Sequence, residues 1–253
     1  MDAIVKRRDD APAGFFGAEA AGLRWLAAAG GARCVDVIDV AADRIEVARI
    51  EEVHPTEAAA RAFGAALART HLAGAEAFGG PPAGWDGQLF IGERPMPSIL
   101  SDSWGEFYAH GRVLPFLDDA VAAGNLRLTE ADEVRRACDV IAGGAFDDGA
   151  APSRIHGDLW AGNLLFGRDG TVLIDPAAHG GHGETDLAML ALFGAPHLDA
   201  IYAGYQEVSP LRAGWRGRIA LHQLHPLAVH AVGHGRSYGV ALTRAAEAVR
   251  ATA

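Results

Sequence analysis

Two carboxylates and a carboxamide stand in fixed order in the stretch RIHGDLWAGNLLFGRDGTVLIDPAAHGGHGETDLAML: Asp158, Asn163 and Asp175. Between Asn163 and Asp175 run two apolar segments, NLLF and TVLI, around GRDG, a turn sequence that predicts a hairpin. Asp158 and Asn163 lie in the loop entering this hairpin and Asp175 lies just past its second strand. The turn therefore brings all three to one edge. Acidic groups gathered there repel one another unless a cation or a proton sits between them. Phosphoryl transfer uses such a set: one carboxylate takes the proton of an acceptor hydroxyl, while an Asn and a second Asp hold Mg²⁺ on the phosphates of ATP. Turns and caps also favour Asp and Asn, so the surrounding sequence has to decide.

The elements around these residues can be read from periodicity. AIVK predicts a short strand, and FFGAEAAGLRWLAAA predicts a helix, with Phe15, Ala18, Gly22, Trp25 and Leu26 at helical spacing. CVDVIDVAADRIEVARI alternates on both sides of AAD, which predicts a strand pair, and Thr56 is placed to cap a helix over EAAARAFGAALARTHL. Residues 73–103, rich in Gly, Pro and Ser, read as a long irregular but ordered segment holding Trp85, Phe90, Ile91 and Met96. Helical patterns return at 104–123, 130–142, 185–193 and 197–207, and over roughly 213–250. This predicts a strand-bearing part over residues 1–52 and a mainly helical part over 53–253.

The bulk composition excludes several classes of function. A formal charge of −10 over 253 residues is the wrong sign for a dedicated nucleic-acid binder. No apolar run approaches a membrane span, and MDAIVKRRDD has no signal-like core. Cys34 and Cys138 are far apart without CxxC spacing, which suits a reduced cytoplasmic protein. The segment HGGHGE, with His179, His182 and Glu184, lacks the fixed helical geometry of a zinc site. His71, His222, His225 and His230 fall in helical patterns and read as core or surface residues rather than catalytic ones, and Trp104, Phe107 and Tyr108 read as packing first and acceptor wall second.

The spacing Asp-x₄-Asn in DLWAGN equals that of the protein-kinase catalytic loop, and IDP takes the place of its metal-binding Asp-Phe-Gly. HGDLWAGNLLF followed by LIDPAAHGGHGETDLAML closely resembles the fructosamine kinase (ketosamine-3-kinase) family, relatives of the aminoglycoside phosphotransferases. The Trp after HGDL and the GHxExDLAM tail are particular to fructosamine kinases. VKRRDDAPAGFFGAEAAGLRWLA, FGAALARTH, WGEFYAHGRVLPFL and LHQLHPLAVHA extend the resemblance over nearly the whole chain.

That resemblance implies an α+β, two-lobe protein-kinase-like fold, with a shortened antiparallel-sheet N-lobe of about three strands and a larger helical C-lobe. It implies an ATP- and Mg²⁺-dependent kinase acting on the sugar 3-hydroxyl of a glycated amine, free or protein-bound. Asp158 would be the base, Asn163 and Asp175 the metal ligands, and Lys6 the contact to the α/β-phosphates, held by Glu19. Adenine would lie against the backbone of Ala48 and Ile50, in a segment with Ala48 where the family often carries Glu. Trp160 would wall the acceptor site, since an indole face suits the C–H surface of a sugar. His156 and Asp186 would support the catalytic loop.

One part of the pattern is missing. Five residues precede Lys6 and none is Gly, so the glycine-containing loop that covers the phosphates in kinase-like folds is not in this sequence. Either the chain starts late or this branch lacks the lid. Two further readings therefore stay open: a small-molecule hydroxyl kinase of the aminoglycoside or choline type, and a pseudokinase binding module.

Overall fold

Lys6 sits in a strand whose neighbours come from further along the chain. In the computed structural model, which describes residues 2–252, β1 (Ala3–Arg7) precedes the helix α1 (Phe15–Ala27) and the strands β2 (Val37–Val40) and β3 (Arg44–Ala48). The three strands form an antiparallel sheet in the order β1-β3-β2, with Lys6 opposite Ile45. α1 packs Phe16, Ala20, Leu23 and Leu26 inward and turns Glu19 towards Lys6.

α2 (Glu57–Leu72) begins at Thr56, whose side chain accepts a hydrogen bond from the N–H of Ala59 at 3.2 Å. The cap satisfies one of the backbone donors that every helix start leaves unpaired. The segment predicted to be irregular carries a hairpin, β4 (Leu89–Ile91) and β5 (Arg94–Met96), with Phe90 opposite Pro95. Both strands are three residues long and one holds a proline, which cannot donate to a ladder, so periodicity gives no signal for them. Residues 104–123 hold α3 (Trp104–Phe107), a π-helical turn (Tyr108–Val113), a 3₁₀ turn (Leu114–Phe116) and α4 (Leu117–Ala122). α5 (Leu128–Ala142) follows.

The segment carrying Asp158 and Asn163 is framed by a two-stranded ladder that the sequence did not announce, β6 (Ser153–Ile155) paired with β9 (His179–Gly181). Inside it lies the predicted hairpin, β7 (Leu164–Gly167) and β8 (Gly170–Leu173). The chain ends in α6 (Gly183–Phe193), α7 (Leu198–Val208), α8 (Trp215–His222), α9 (Leu224–Gly233) and α10 (Arg236–Thr252).

Two apolar cores result. One joins the sheet, α1, α2, α7 and the β7–β8 hairpin through Leu23, Ile45, Phe63, Leu67, Leu173 and Ile201. The other joins the π turn, α4, α5 and α8 to α10 through Tyr108, Leu117, Val134, Ile141, Leu224 and Leu242. Each fully buried Leu, Ile or Val contributes ~1.5–3 kcal/mol through its removal from water. α2 and α7 cross so closely that a Cβ at Gly64 would overlap the carbonyl of Ile201, and one at Gly204 that of Arg61. Glycine there lets backbone touch backbone. Both cysteines are free and buried, and no helix among the described residues is long and apolar enough to cross a membrane.

Candidate active site

A cleft of about 410 Å³ lies between α1, the β4–β5 hairpin and the loops that flank β7–β8. Its walls include Lys6, Glu19, Asp158, Trp160, Asn163 and Asp175, six of the residues singled out from the sequence. Ala48 and Ile50 are not among those walls. The N–H of Ala48 is taken by the carbonyl of Asp36 at 2.9 Å, and Ile50 faces Gly167 of β7.

Asp158 follows β6 and a glycine that has to be a glycine. Gly157 has φ +80°, and a Cβ there would overlap the carbonyl oxygen of Ala177. The loop is fastened from behind by Asp186, near the start of α6. Its carboxylate accepts the backbone N–H of His156 at 2.8 Å and of Gly157 at 2.9 Å, and it lies 3.1 Å from His71 Nε2. Burial alone would push the Asp186 carboxyl up, but His71, His156 and these donors outweigh it and hold the group below its ordinary value. His156 joins the two sides of the site: its Nε2 meets the carbonyl of Ile174 at 2.8 Å and its Nδ1 accepts the N–H of Asp158 at 3.2 Å. The first contact requires the proton on Nε2 and the second requires Nδ1 bare, so one neutral tautomer satisfies both. Burial lowers the pKa of this ring and keeps it neutral.

Asn163 donates through Nδ2 to the backbone oxygen of Asp158 at 2.8 Å and to its carboxylate at 3.2 Å. The amide nitrogen is thereby used on the loop, and Oδ1 is the atom left for a cation. Burial pushes the Asp158 carboxyl up to about 6; the bond from Asn163 pulls it down, and the charges of Asp175 and Asp186 add to the rise. A carboxylate poised there can take a proton near neutral pH.

Asp175 adopts φ +54°, the left-handed region that non-glycine residues rarely enter, immediately before Pro176, where extended backbone is the norm. Strain of this kind persists where the surroundings impose it and concentrates at functional sites. Lys6 ion-pairs with Asp175 and, at 2.8 Å, with Glu19. Burial lowers the pKa of Lys6, but the two carboxylates raise it further, and the ammonium is held charged. Glu19, mainly through burial, is raised despite Lys6.

The donor set fits a hard divalent cation. Asp158, Asp175 and the Asn163 amide offer oxygens only, which is the Mg²⁺ preference, and the charge of Asp175 raises the cost of ionising Asp158.

Trp160 is 42% exposed and lies edge-on to Phe193, with ring centroids 6.2 Å apart. Its indole covers Gly162, where a Cβ would collide with the ring. Sequence reasoning missed the far wall, made by Arg8, Phe15, Phe90, Gly92 and Glu93. Arg8 directly follows β1, two residues past Lys6, and that spacing is the one signal available. It also missed His71, which faces Asp186 with one ring nitrogen and the hydroxyl of Tyr205, at 2.8 Å, with the other. Trp104, Phe107 and Tyr108 are buried in the helical core and are not among the residues lining the cleft. His182 and Glu184 have other tasks: His182 caps α6 by accepting the N–H of Glu184, whose carboxylate pairs with Arg218 at 2.5 Å.

A lysine strand ion-paired to a helix, and a catalytic-type loop strapped to a hairpin that ends in a second aspartate, define a two-lobe fold of the protein-kinase-like class. Within that class the chain belongs to the fructosamine kinase family, whose model matches residues 2–251. It is 29% identical over 239 residues to a probable ketoamine kinase of Enterococcus faecium, covering 93% of this chain and 83% of that one. It is 31% identical over 157 residues to the ketosamine-3-kinase of Mus musculus, covering 62% of this chain and 48% of the mouse protein. With several curated relatives the match spans about half of their length, as with the 54% covered in one from Synechocystis. A crystal structure from Thermobifida fusca, provisionally named a fructosamine-3-kinase, superposes with a TM-score of 0.90 at 46% identity, covering 98% of this chain and 85% of that one. The choline kinase LicA of Streptococcus pneumoniae shares the fold, with a TM-score of 0.63 at 17% identity, over 98% of this chain and 86% of that one.

Proposed function

We propose that this chain transfers the γ-phosphoryl group of ATP to the sugar 3-hydroxyl of a glycated amine of the fructosamine or ribulosamine type. The observation that carries the reading is the partly buried Asp158 carboxyl, raised to about 6, beside an oxygen-only set of ligands in the cleft that Trp160 also lines. Asp158 takes the proton of the attacking hydroxyl. Asn163, through Oδ1, and Asp175 would hold Mg²⁺, which neutralises phosphate charge when bound. Lys6 holds the α/β-phosphates and Glu19 keeps Lys6 aimed. His156 and Asp186 keep the loop of Asp158 in place, and Trp160 offers its face to the sugar. The lobes divide near residues 52–53, and the two buried thiols suit a reducing cytoplasm.

The experiment is incubation with MgATP and a ribulosyl- or fructosyl-amine. Addition of one phosphate to the sugar at O3, read by mass and NMR, supports the reading. Phosphate appearing on choline or an aminoglycoside instead, with none on the ketosamine, would replace it.

A further inference from the structure

Arg112 belongs to the π-helical turn and is 1% exposed, yet it faces no carboxylate among the described residues. Its Nε donates to His179 Nε2 at 3.1 Å, and its Nη1 donates to the carbonyls of Pro97 and Gly111, both at 2.8 Å. The guanidinium lies over the Phe107 ring at 4.6 Å, and Nη2 is buried without a partner. An unpaired buried cation is costly, and apolar residues of similar volume in such places are often neutral or stabilising. Stability alone is a poor reason for an arginine here.

Arg112 joins three segments through its side chain, beside the backbone bonds that Gly180 exchanges with Gly79 and Gly80. His179 gives its Nδ1 to the carbonyl of Ala177 at 2.7 Å, so that nitrogen carries the proton and Nε2 must accept, which suits an arginine donor. His179 is also the residue opposite Ile155 in the β6–β9 ladder, one position before the catalytic loop and four past Asp175. Pro97 directly follows β5, and the β4–β5 hairpin supplies Leu89, Phe90, Gly92 and Glu93 to the far wall of the cleft.

We infer that Arg112 is a positioning residue that fixes the far-wall hairpin of the cleft to the ladder carrying the Asp158 and Asp175 loops. The inference rests on the proposed function only for its kinetic consequence. The acceptor is bound between two pieces of chain that have no direct ladder in common, and the guanidinium holds them in one frame.

The test uses R112M, R112K, H179Q and the double variant R112M/H179Q of the whole chain. R112M is expected to melt at or above the wild-type temperature. Its kcat should fall roughly tenfold or more and its ketosamine KM should rise, because small misplacements of bound groups carry rate losses of that size. ATP KM and Mg²⁺-dependent nucleotide binding, read by tryptophan fluorescence, should stay within about threefold, since Lys6, Asn163 and Asp175 keep their own contacts. R112K should recover part of the loss, and the double variant should be no worse than R112M. Independently of any activity, R112M should speed amide exchange both at 89–97 and at 179–181, and not in α2 or α7. A folded R112M with wild-type kcat, ketosamine KM and exchange would overturn the inference, as would losses that multiply in the double variant. If R112M does not fold, full activity and unchanged exchange in R112K together with H179Q overturn it. A wild-type chain that phosphorylates no ketosamine defeats the proposed function instead, and the exchange result still decides the role of Arg112.

Discussion

The amide of Asn163 donates to Asp158 twice, to its backbone oxygen and to its carboxylate. One side chain thus aims the proposed base and, with its remaining oxygen, faces the place where a cation would sit. The two proposed roles, proton acceptance and cation holding, thus share one side chain.

The Asp158 carboxyl gives a pH dependence of defined sign. With a folded pKa raised to about 6, kcat/KM for the ketosamine should decline as pH falls through about 6 and the base becomes protonated. D158N should lower turnover by ~10²-fold or more and leave nucleotide binding largely intact. Because the folded pKa lies above the ordinary 3.8, the fold favours the protonated form, and that stabilisation is lost as pH rises through 6. D158N, never charged, should therefore be more stable at neutral pH by about 2–3 kcal/mol, or roughly 4–12 °C in Tm. The gain should vanish below about pH 4. A Tm difference independent of pH would show that burial does not raise this group.

Removing the Asp186 carboxylate should cost both stability and rate. D186A strands the N–H groups of His156 and Gly157 and the ring of His71 in a dry interior, a loss of ~3–5 kcal/mol. D186N keeps one acceptor oxygen and should fall in between. Urea unfolding measures the first effect and kcat the second; a D186A chain of wild-type stability would show that the loop is held by other means.

Trp160 should separate binding from folding. Being 42% exposed, it adds little to the core, and loss of its edge contact to Phe193 costs ~0.5–1.5 kcal/mol. W160A should raise the ketosamine KM about tenfold with a smaller change for ATP. Equal effects on both substrates would make Trp160 a structural residue.

Gly157 should tolerate nothing larger. G157A demands φ +80° of an alanine and pushes its Cβ into the Ala177 carbonyl, so the loop must shift or the fold must lose more than ~2 kcal/mol. The measured outcome is a fall in kcat at least as large as that of W160A. Wild-type activity in G157A would mean that the loop is less constrained than its geometry indicates.

Sequence alone determined what is local. The order Asp158, Asn163, hairpin, Asp175 is legible because a tight turn fixes its own ends, and Thr56 announces α2 because a cap acts three residues away. The family resemblance added the role proposed for Trp160, which no periodicity contains. Tertiary structure decided the rest, because partners of buried polar groups are chosen by packing across long separations. Lys6 meets Asp175 across 169 positions and Arg112 meets His179 across 67. The β4–β5 hairpin and the β6–β9 ladder have three-residue strands interrupted by proline or glycine; such strands carry no period of their own and exist because neighbouring backbone supplies their hydrogen bonds.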